Sequence, residues 1–352
     1  MLTKEQIETT ANWITTFQAN DGEIPWYVGG KWEAWDEVQA AMGLICAGDI
    51  PPALASFRHL ARIQADDGTW VAEKVDGIVT KPEAETNHAA YIATGLWYYY
   101  VATGDIGFVA EMWPTVERAI DFVVDMQEPE GTVCWARRQN GVRWQSYLIT
   151  GSSSIHGSLV CAQRIAELLS HDRPRWWAAR EKLGTAIRDH EELFTAEASP
   201  DPVGRFSMDW YYPVLGGAIR GEEGRARLLD PDTLDKFMLE GLGCRCVADA
   251  SWFTLAETCE LVLAHHAVGL VERAEEIFSW SDLFRIDKGG YETGMVHPER
   301  VCWPPERNAY TPATVLMVDD TLKGDSATSD FFVTLVGDDL DERDAVQQAI
   351  AS

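Results

Sequence analysis

No stretch of this 352-residue sequence approaches the roughly 20 consecutive apolar residues of a membrane span. The opening MLTKEQIETTANW has no basic segment followed by an apolar run, so no secretory leader is read there. Basic residues are few. Lys and Arg number 29 against 56 Asp and Glu, for a net charge of −27. Such a surface repels phosphate backbones and anionic lipid, so neither nucleic acid nor a membrane is an expected partner. The seven cysteines are odd in number and scattered, which fits a reduced, cytoplasmic protein better than a disulfide scaffold. Cys244-Arg-Cys246 lacks a second ligand pair at zinc spacing, and His265-His266 has no Glu-x-x-His partner. A phosphate-binding loop, a dinucleotide fingerprint and a Gly-x-Ser-x-Gly elbow are also missing. No metal and no cofactor is therefore expected.

What the sequence does have is a packable core and helical periodicity. Hydrophobic residues make up 46% and charged residues 24%, which excludes global disorder. Ala53–Gln64, Val116–Met126, Leu159–Leu169 and Thr254–Ala267 carry apolar residues at i, i+3, i+4 and i+7. Strand-like alternation is nearly absent. The pattern predicts about twelve helices, near 4–18, 36–47, 52–64, 87–103, 107–127, 153–169, 174–190, 208–220, 231–238, 253–267, 270–281 and 309–323.

These helices come in pairs. One member is amphipathic with a charged face, as in Pro174–His190; the next is apolar or small all round, as in Ser153–Leu169. A helix apolar on every side is buried. Six amphipathic helices around six buried ones form an (α/α)6 barrel, an all-α fold. A linker signature supports the repeat: Gln18-Ala-Asn-Asp-Gly22, Gln64-Ala-Asp-Asp-Gly68 and Gln127-Glu-Pro-Glu-Gly131 each end an outer helix. No Pro/Ser-rich linker divides the chain. One barrel over 1–325 is expected, with an acidic tail over 326–352.

In such a barrel the six inner helices start on one face, and the preceding loops build a pocket there. Of the 15 tryptophans, nine lie in or beside those loops: Trp26, Trp32, Trp35, Trp70, Trp135, Trp144, Trp210, Trp252 and Trp303. Aromatic faces in a cleft stack on the apolar faces of sugars, although a loop Trp also serves as an anchor. Carboxylates occupy the same places. Trp35-Asp36-Glu37 opens one inner helix, Met208-Asp209-Trp210-Tyr211 another, and Glu257 and Glu260 share a face of a third. Tyr291-Glu292 and Trp303-Pro-Pro-Glu306 precede the last. Helix capping accounts for Asp36 or Asp209 singly. It accounts poorly for Glu257, on an otherwise apolar helix, where a carboxylate needs a partner or a task. Two carboxyl groups flanking a cleft are the requirement of glycoside hydrolysis. Gly151-Ser-Ser-Ser154 precedes an inner helix and reads as a cap, the alternative being N–H groups that bind hydroxyls or phosphate.

With these residues in view, the chain resembles a family. Thr103-Gly-Asp105, Trp113-Pro114, Gln127, Trp135 and Leu148-Ile-Thr-Gly-Ser-Ser-Ser-Ile155 look like the six-hairpin glycosidase superfamily, which includes glucoamylases and trehalases. Ser207-Met-Asp-Trp-Tyr-Tyr-Pro213, Gly243-Cys-Arg-Cys-Val247, Ala256-Glu-Thr-Cys-Glu260 and Trp303-Pro-Pro-Glu306 are similar to an actinobacterial group often labelled prenyltransferase-like. The mycobacterial methylmannose polysaccharide hydrolases, endo-acting α-mannanases, belong to that group. The resemblance implies hydrolysis of an oligosaccharide or polysaccharide, inverting, with two carboxylates. Glucoamylases carry their acid in a Gly-Ile-Trp-Glu stretch; here the place reads Val133-Cys-Trp135-Ala136, so that acid is missing. Asp36 stands where the superfamily touches the terminal sugar, and Glu257 is expected across the barrel. This pair is the expected catalytic set, with Asp209, Glu292 and Glu306 in reserve. Trp26, Trp35, Glu37, Asn87, Asp209, Trp210, Tyr211, Trp252, Glu260, Tyr291, Glu292 and Glu306 are the expected substrate-binding set. Two rivals remain. One is terpenoid chemistry, cued by Gln64-x-x-Asp-Gly-x-Trp70 and by the incomplete acidic motifs Asp230-Pro-Asp232 and Asp319-Asp-Thr321. The other is a non-catalytic carbohydrate-binding toroid.

Overall fold

The computed structural model describes residues 1–195 and 204–336. Fourteen α-helices lie among them: α1 (Lys4–Thr15), α2 (Ala34–Cys46), α3 (Ile50–Ile63), α4 (Thr86–Thr103), α5 (Ile106–Asp125), α6 (Ile149–Leu168), α7 (Pro174–Asp189), α8 (Met208–Leu215), α9 (Gly221–Leu228), α10 (Pro231–Phe237), α11 (Leu255–Ala267), α12 (Val271–Ser279), α13 (Tyr310–Lys323) and α14 (Phe331–Val336). All twelve segments read from periodicity are present. The additional ones are α9, whose Gly-Glu-Glu-Gly-Arg composition hides it, and α14. Helix α6 starts at Ile149, so Gly151-Ser-Ser-Ser154 lies within its first turns; Ser153 Oγ donates to Ile149 O at 2.7 Å.

Packing follows the amphipathic pattern. Helix α2 packs on α4, α4 on α6, α6 on α8, α8 on α11, α11 on α13, and α13 back on α2, which closes a ring of six. Outside it, α1, α3, α5, α7, α9 and α12 each pack on a ring helix. The ring helices are buried almost throughout; in α6, 16 of the 20 residues are inaccessible. Among the described residues, no helix is long and apolar enough to cross a membrane.

The repeated linkers are a structural device. Gln18 Nε2 donates to Gly22 O at 3.1 Å and to Pro52 O at 2.8 Å. Gln64 does the same with Gly68 and Thr115, and Gln127 with Gly131 and Ala179. Each glutamine thus ties its own turn to the next outer helix. The three glycines have φ of +100°, +85° and +103°, and a Cβ on any of them would sit within 2.4 Å of a carbonyl oxygen of that helix. Left-handed backbone and close approach both require glycine here. Gln64-x-x-Asp-Gly-x-Trp70 is therefore a packing stitch rather than a sign of terpenoid chemistry; Trp70 Nε1 donates to Leu60 O at 3.0 Å. The two acidic motifs are structural as well. Asp230 caps α10 through Thr233 N at 2.9 Å, and Asp319 holds Leu2 N at 2.6 Å and Lys323 Nζ at 2.6 Å.

Among the described residues, ten short strands depart from the helical expectation. They lie in the loops that lead to the inner helices, and all pair antiparallel: β1 (Lys31–Trp32), β2 (Glu73–Val75) and β3 (Ile78–Lys81); β4 (Ala84–Glu85) and β5 (Ala136–Arg137); and a sheet in the order β10-β9-β8-β7-β6, from β6 (Met238–Leu239), β7 (Gly243–Arg245), β8 (Trp252–Thr254), β9 (Gly294–Val296) and β10 (Val301–Cys302). At two to four residues each, they are too short for alternation to register. Their effect is to pin the loops that carry the carboxylates and tryptophans.

At the opposite end of the ring, α8 stops at Leu215, before the expected 220, because Gly216 and a left-handed Gly217 (φ +74°) end it. Helix α14 packs on α8 and α11 there, with Phe331, Phe332 and Leu335 buried, and Arg164 Nη2 donates to Thr334 O at 3.0 Å. The first part of the expected tail is thus packed onto the ring. The rest of that expectation, 337–352, lies outside the described residues.

Candidate active site

The inner helices start at Ala34, Thr86, Ile149, Met208, Leu255 and Tyr310, and each runs inward from one shared mouth. Their unsatisfied N–H groups and dipoles give that mouth a positive potential, which favours carboxylates there. Asp36, Asp209 and Glu257 lie in the first turns of α2, α8 and α11.

Asp36 is buried, with Oδ2 3.3 Å from Lys31 Nζ. Burial raises its pKa to about 6; the Lys31 charge opposes that rise and Glu33 adds to it. Lys31 also lies 4.3 Å over the Trp26 ring, and Trp26 donates through Nε1 to Glu306 at 2.9 Å. Trp26 stacks on Tyr310 at 5.7 Å, and Trp35 stacks flat on Tyr91 at 4.0 Å. Trp26 and Trp35 each remain partly exposed.

Glu260 is the centre of a second cluster. Tyr310, Tyr211 and Tyr212 donate to its carboxylate at 2.6, 2.7 and 3.0 Å. Burial, reinforced by the Glu257 charge, raises its pKa to about 7, against the pull of the three hydroxyls. Glu257, one helical turn earlier, is partly exposed and accepts from Thr254 Oγ1. Trp35 Nε1 donates to the Tyr310 hydroxyl at 3.3 Å. A continuous chain of contacts thus runs from Asp36 through Lys31, Trp26 and Tyr310 to Glu260, with Glu257 on the same helix face. Glu257 is not across the ring from Asp36, as the helix order suggested. Both α2 and α11 flank α13, and Tyr310 at its start joins them.

Other expected residues divide. Asn87 is half-buried at the mouth end of α4, and its Oδ1 finds no donor among the described residues. Asp209 accepts from Thr150 Oγ1 at 2.6 Å and Gly204 N at 2.8 Å, and burial raises its pKa. Glu292 pairs with Arg307 at 2.8 Å, and Trp252 donates to Trp303 O at 2.7 Å; both stay partly exposed. Four residues do not offer a surface to a sugar. Glu37 has no exposed surface and points away, accepting from His59 Nδ1 at 2.9 Å, Ser56 at 3.0 Å and Trp32 Nε1 at 2.5 Å. Trp210 stacks on Phe237 and donates to Arg227 O, so it anchors a loop. Tyr291 is inaccessible and lies under Arg285. Tyr211 is equally inaccessible and acts through Glu260.

Sequence reasoning missed Lys31, Tyr310 and the Glu85–His88 pair. Glu85 accepts from Trp135 Nε1 at 3.0 Å and lies 3.4 Å from His88 Nε2. Glu85 stands at the start of an inner helix, the same signal that picked out Asp36. Lys31 and Tyr310 carried no signal, because their roles depend on contacts 5 and 50 residues away.

No family model matches the chain. It is 42% identical, over 322 residues, to the MMP endo-(1,4)-3-O-methyl-alpha-D-mannosidase of Mycolicibacterium hassiacum, covering 92% of this chain and 87% of that protein. Among solved structures, one described as "Glycosidase Wild Type" superposes with a TM-score of 0.68 at 14% identity, covering 95% of this chain and 97% of that one. A D-mannose isomerase superposes with a TM-score of 0.67 at 10% identity, covering 91% and 97%. At these identities the two structures report the helical fold alone.

Proposed function

This chain belongs to the family of the MMP endo-(1,4)-3-O-methyl-alpha-D-mannosidase and is a glycoside hydrolase; we propose that it cuts a methylated α-mannan at internal linkages, with inversion, using Asp36 and Glu257. We read the ring as an (α/α)6 barrel of the six-hairpin type spanning 1–325, in a protein of the cytoplasm. Free thiols at all seven cysteines support a reducing compartment. The observation that carries the mechanism is the placement of two carboxylates on helices that flank α13, in one Trp- and Tyr-lined mouth.

The roles follow from environment. Asp36, pushed up to about 6, keeps its proton to higher pH than an ordinary carboxyl, and its protonated form gives that proton to the glycosidic oxygen as the C1–O bond breaks. Glu257 takes a proton from a water that attacks C1 from the opposite face, so the anomeric centre inverts. In a six-membered ring with neighbours about 9 Å apart, next-but-one axes lie about 16 Å apart. Inward-reaching Asp and Glu side chains narrow that gap toward the about 6.5–9.5 Å that leaves room for a water. Thr254 Oγ1, which donates to the Glu257 carboxylate, keeps it oriented. Trp26, Trp35 and Asn87 receive the sugar rings.

Incubation with methylmannose polysaccharide is expected to release shorter chains. Proton NMR of the first products should show the anomer opposite to that of the bond cut. No cleavage of this or any other α-mannan overturns the substrate reading, and retention of configuration overturns the water-attack mechanism. The pH profile tests the acid. Asp36 donates only while protonated, so kcat/KM should fall as pH rises above about 6, approaching tenfold per unit. A profile still rising at pH 8 would reverse the two roles.

A further inference from the structure

Beside the mouth between the inner helices lies an open groove of about 820 Å³, between the β2–β3 hairpin and the turn that follows β5. Its size is that of a ligand site rather than a packing defect. Resting on the glycan reading above, we propose that this groove is a distal subsite that holds a further run of the same methylated polysaccharide.

Strand β1 ties the groove to the active site. Successive residues of a strand face opposite sides. Lys31 faces the mouth and pairs with Asp36 at 3.3 Å, while the next residue, Trp32, forms part of the groove wall. The groove is also lined by Ala84, one residue before Glu85, so a chain leaving the mouth past α4 enters it directly.

The lining chemistry points to a neutral, partly apolar polyol. Ile63, Val71 and Pro82 present apolar surface to the groove, backed by the buried rings of Trp32 and Trp70, and this surface matches the methyl ethers of such a chain. Around them the charged groups are mostly matched internally. Lys74 pairs with Glu23 at 2.6 Å, and Arg137 pairs with Asp67. These groups keep hydrogen-bonding capacity for hydroxyls with little net field, which an anionic ligand would need. Arg138 and Gln139 stand exposed on the rim as further donors.

The test compares chain lengths. The double variant Arg138→Ala/Gln139→Ala alters exposed side chains, and Ile63→Glu places a charge at a groove position already 36% exposed. For each, KM for the full polysaccharide should rise about tenfold with kcat unchanged, the pattern of lost uniform binding. Kinetics on the shortest cleaved oligosaccharide, which fills only the mouth, should stay at wild-type values. If both substrates suffer alike, or neither does, the groove takes no part in binding. If the wild type cleaves nothing, the glycan reading itself fails. Calorimetry with the full polysaccharide against the two variants then decides the groove separately, since equal affinity for wild type and variants overturns it.

Discussion

Asp36→Asn should lower kcat/KM on the polysaccharide by about a thousandfold while making the folded protein more stable at neutral pH. The activity loss follows from removing a proton donor at the breaking bond, a contribution of about 10²–10⁴. The stability gain follows from the sign of the pKa shift. Asp36 has its folded pKa raised from 3.8 to about 6 by burial. The folded state therefore binds the proton more tightly than the unfolded one, and stability is lost as pH rises through that window. Above pH 6 the ionised form is a destabilising burden of up to about 3 kcal/mol, from about 1.4 kcal/mol per unit. A neutral amide removes it. Thermal melts at pH 5 and pH 8 check this, because the variant's gain over wild type should be about twice as large at pH 8 as at pH 5. Loss of activity with loss of stability at both pH values would make Asp36 a structural residue instead. Glu257→Gln should match the activity loss. The two separate on a substrate with an acidic phenol as leaving group, which needs no proton. There the Asp36→Asn defect should shrink and the Glu257→Gln defect persist.

Glu37→Ala is expected to destabilise the protein by about 3–5 kcal/mol, the range for removing one partner from a buried charged network. Glu37 has no solvent access and gathers His59, Ser56 and Trp32 around its two oxygens. His59 is itself 1% exposed and reaches Glu23 at 3.5 Å through its other nitrogen. Truncation leaves an imidazole, a hydroxyl and an indole N–H without their acceptor, beside an empty space. For a chain of this size the midpoint of thermal unfolding should drop by about 4–7 °C. A loss under 1 kcal/mol in urea unfolding would mean that the network relaxes around the gap. Glu37→Gln keeps an acceptor and should lose less.

Much of this architecture was legible in the residues. The all-round apolar character of Asn87–Val101 and Thr254–Ala267 marks inner helices, and the recurring Gln-x-x-x-Gly turns mark the joints between outer helices. Both are local signals: a period of 3.6, and a glycine where only glycine fits. Asp36 and Glu257 were legible for the same reason, as carboxylates at the starts of apolar helices. The short strands were not, since two to four residues carry no period. Nor was the split among the aromatic residues. Trp26, Trp35 and Trp210 read alike in sequence, yet the first two wall the mouth and the third is buried against Phe237.

The sequence by itself determined the class of fold, the direction of the inner helices and the end at which the loop carboxylates gather, because amphipathic period and turn chemistry act between residues close in the chain. Tertiary structure alone decided which way each side chain points. Asp36 and Glu37 are adjacent and chemically near-identical, yet consecutive helical positions diverge by about 100°. One therefore meets Lys31 at the mouth, and the other meets His59 between α2 and α3. Burial, the neighbouring charges and the raised pKa all follow from that angle. They are properties of which elements pack together, set by contacts between residues far apart in the chain.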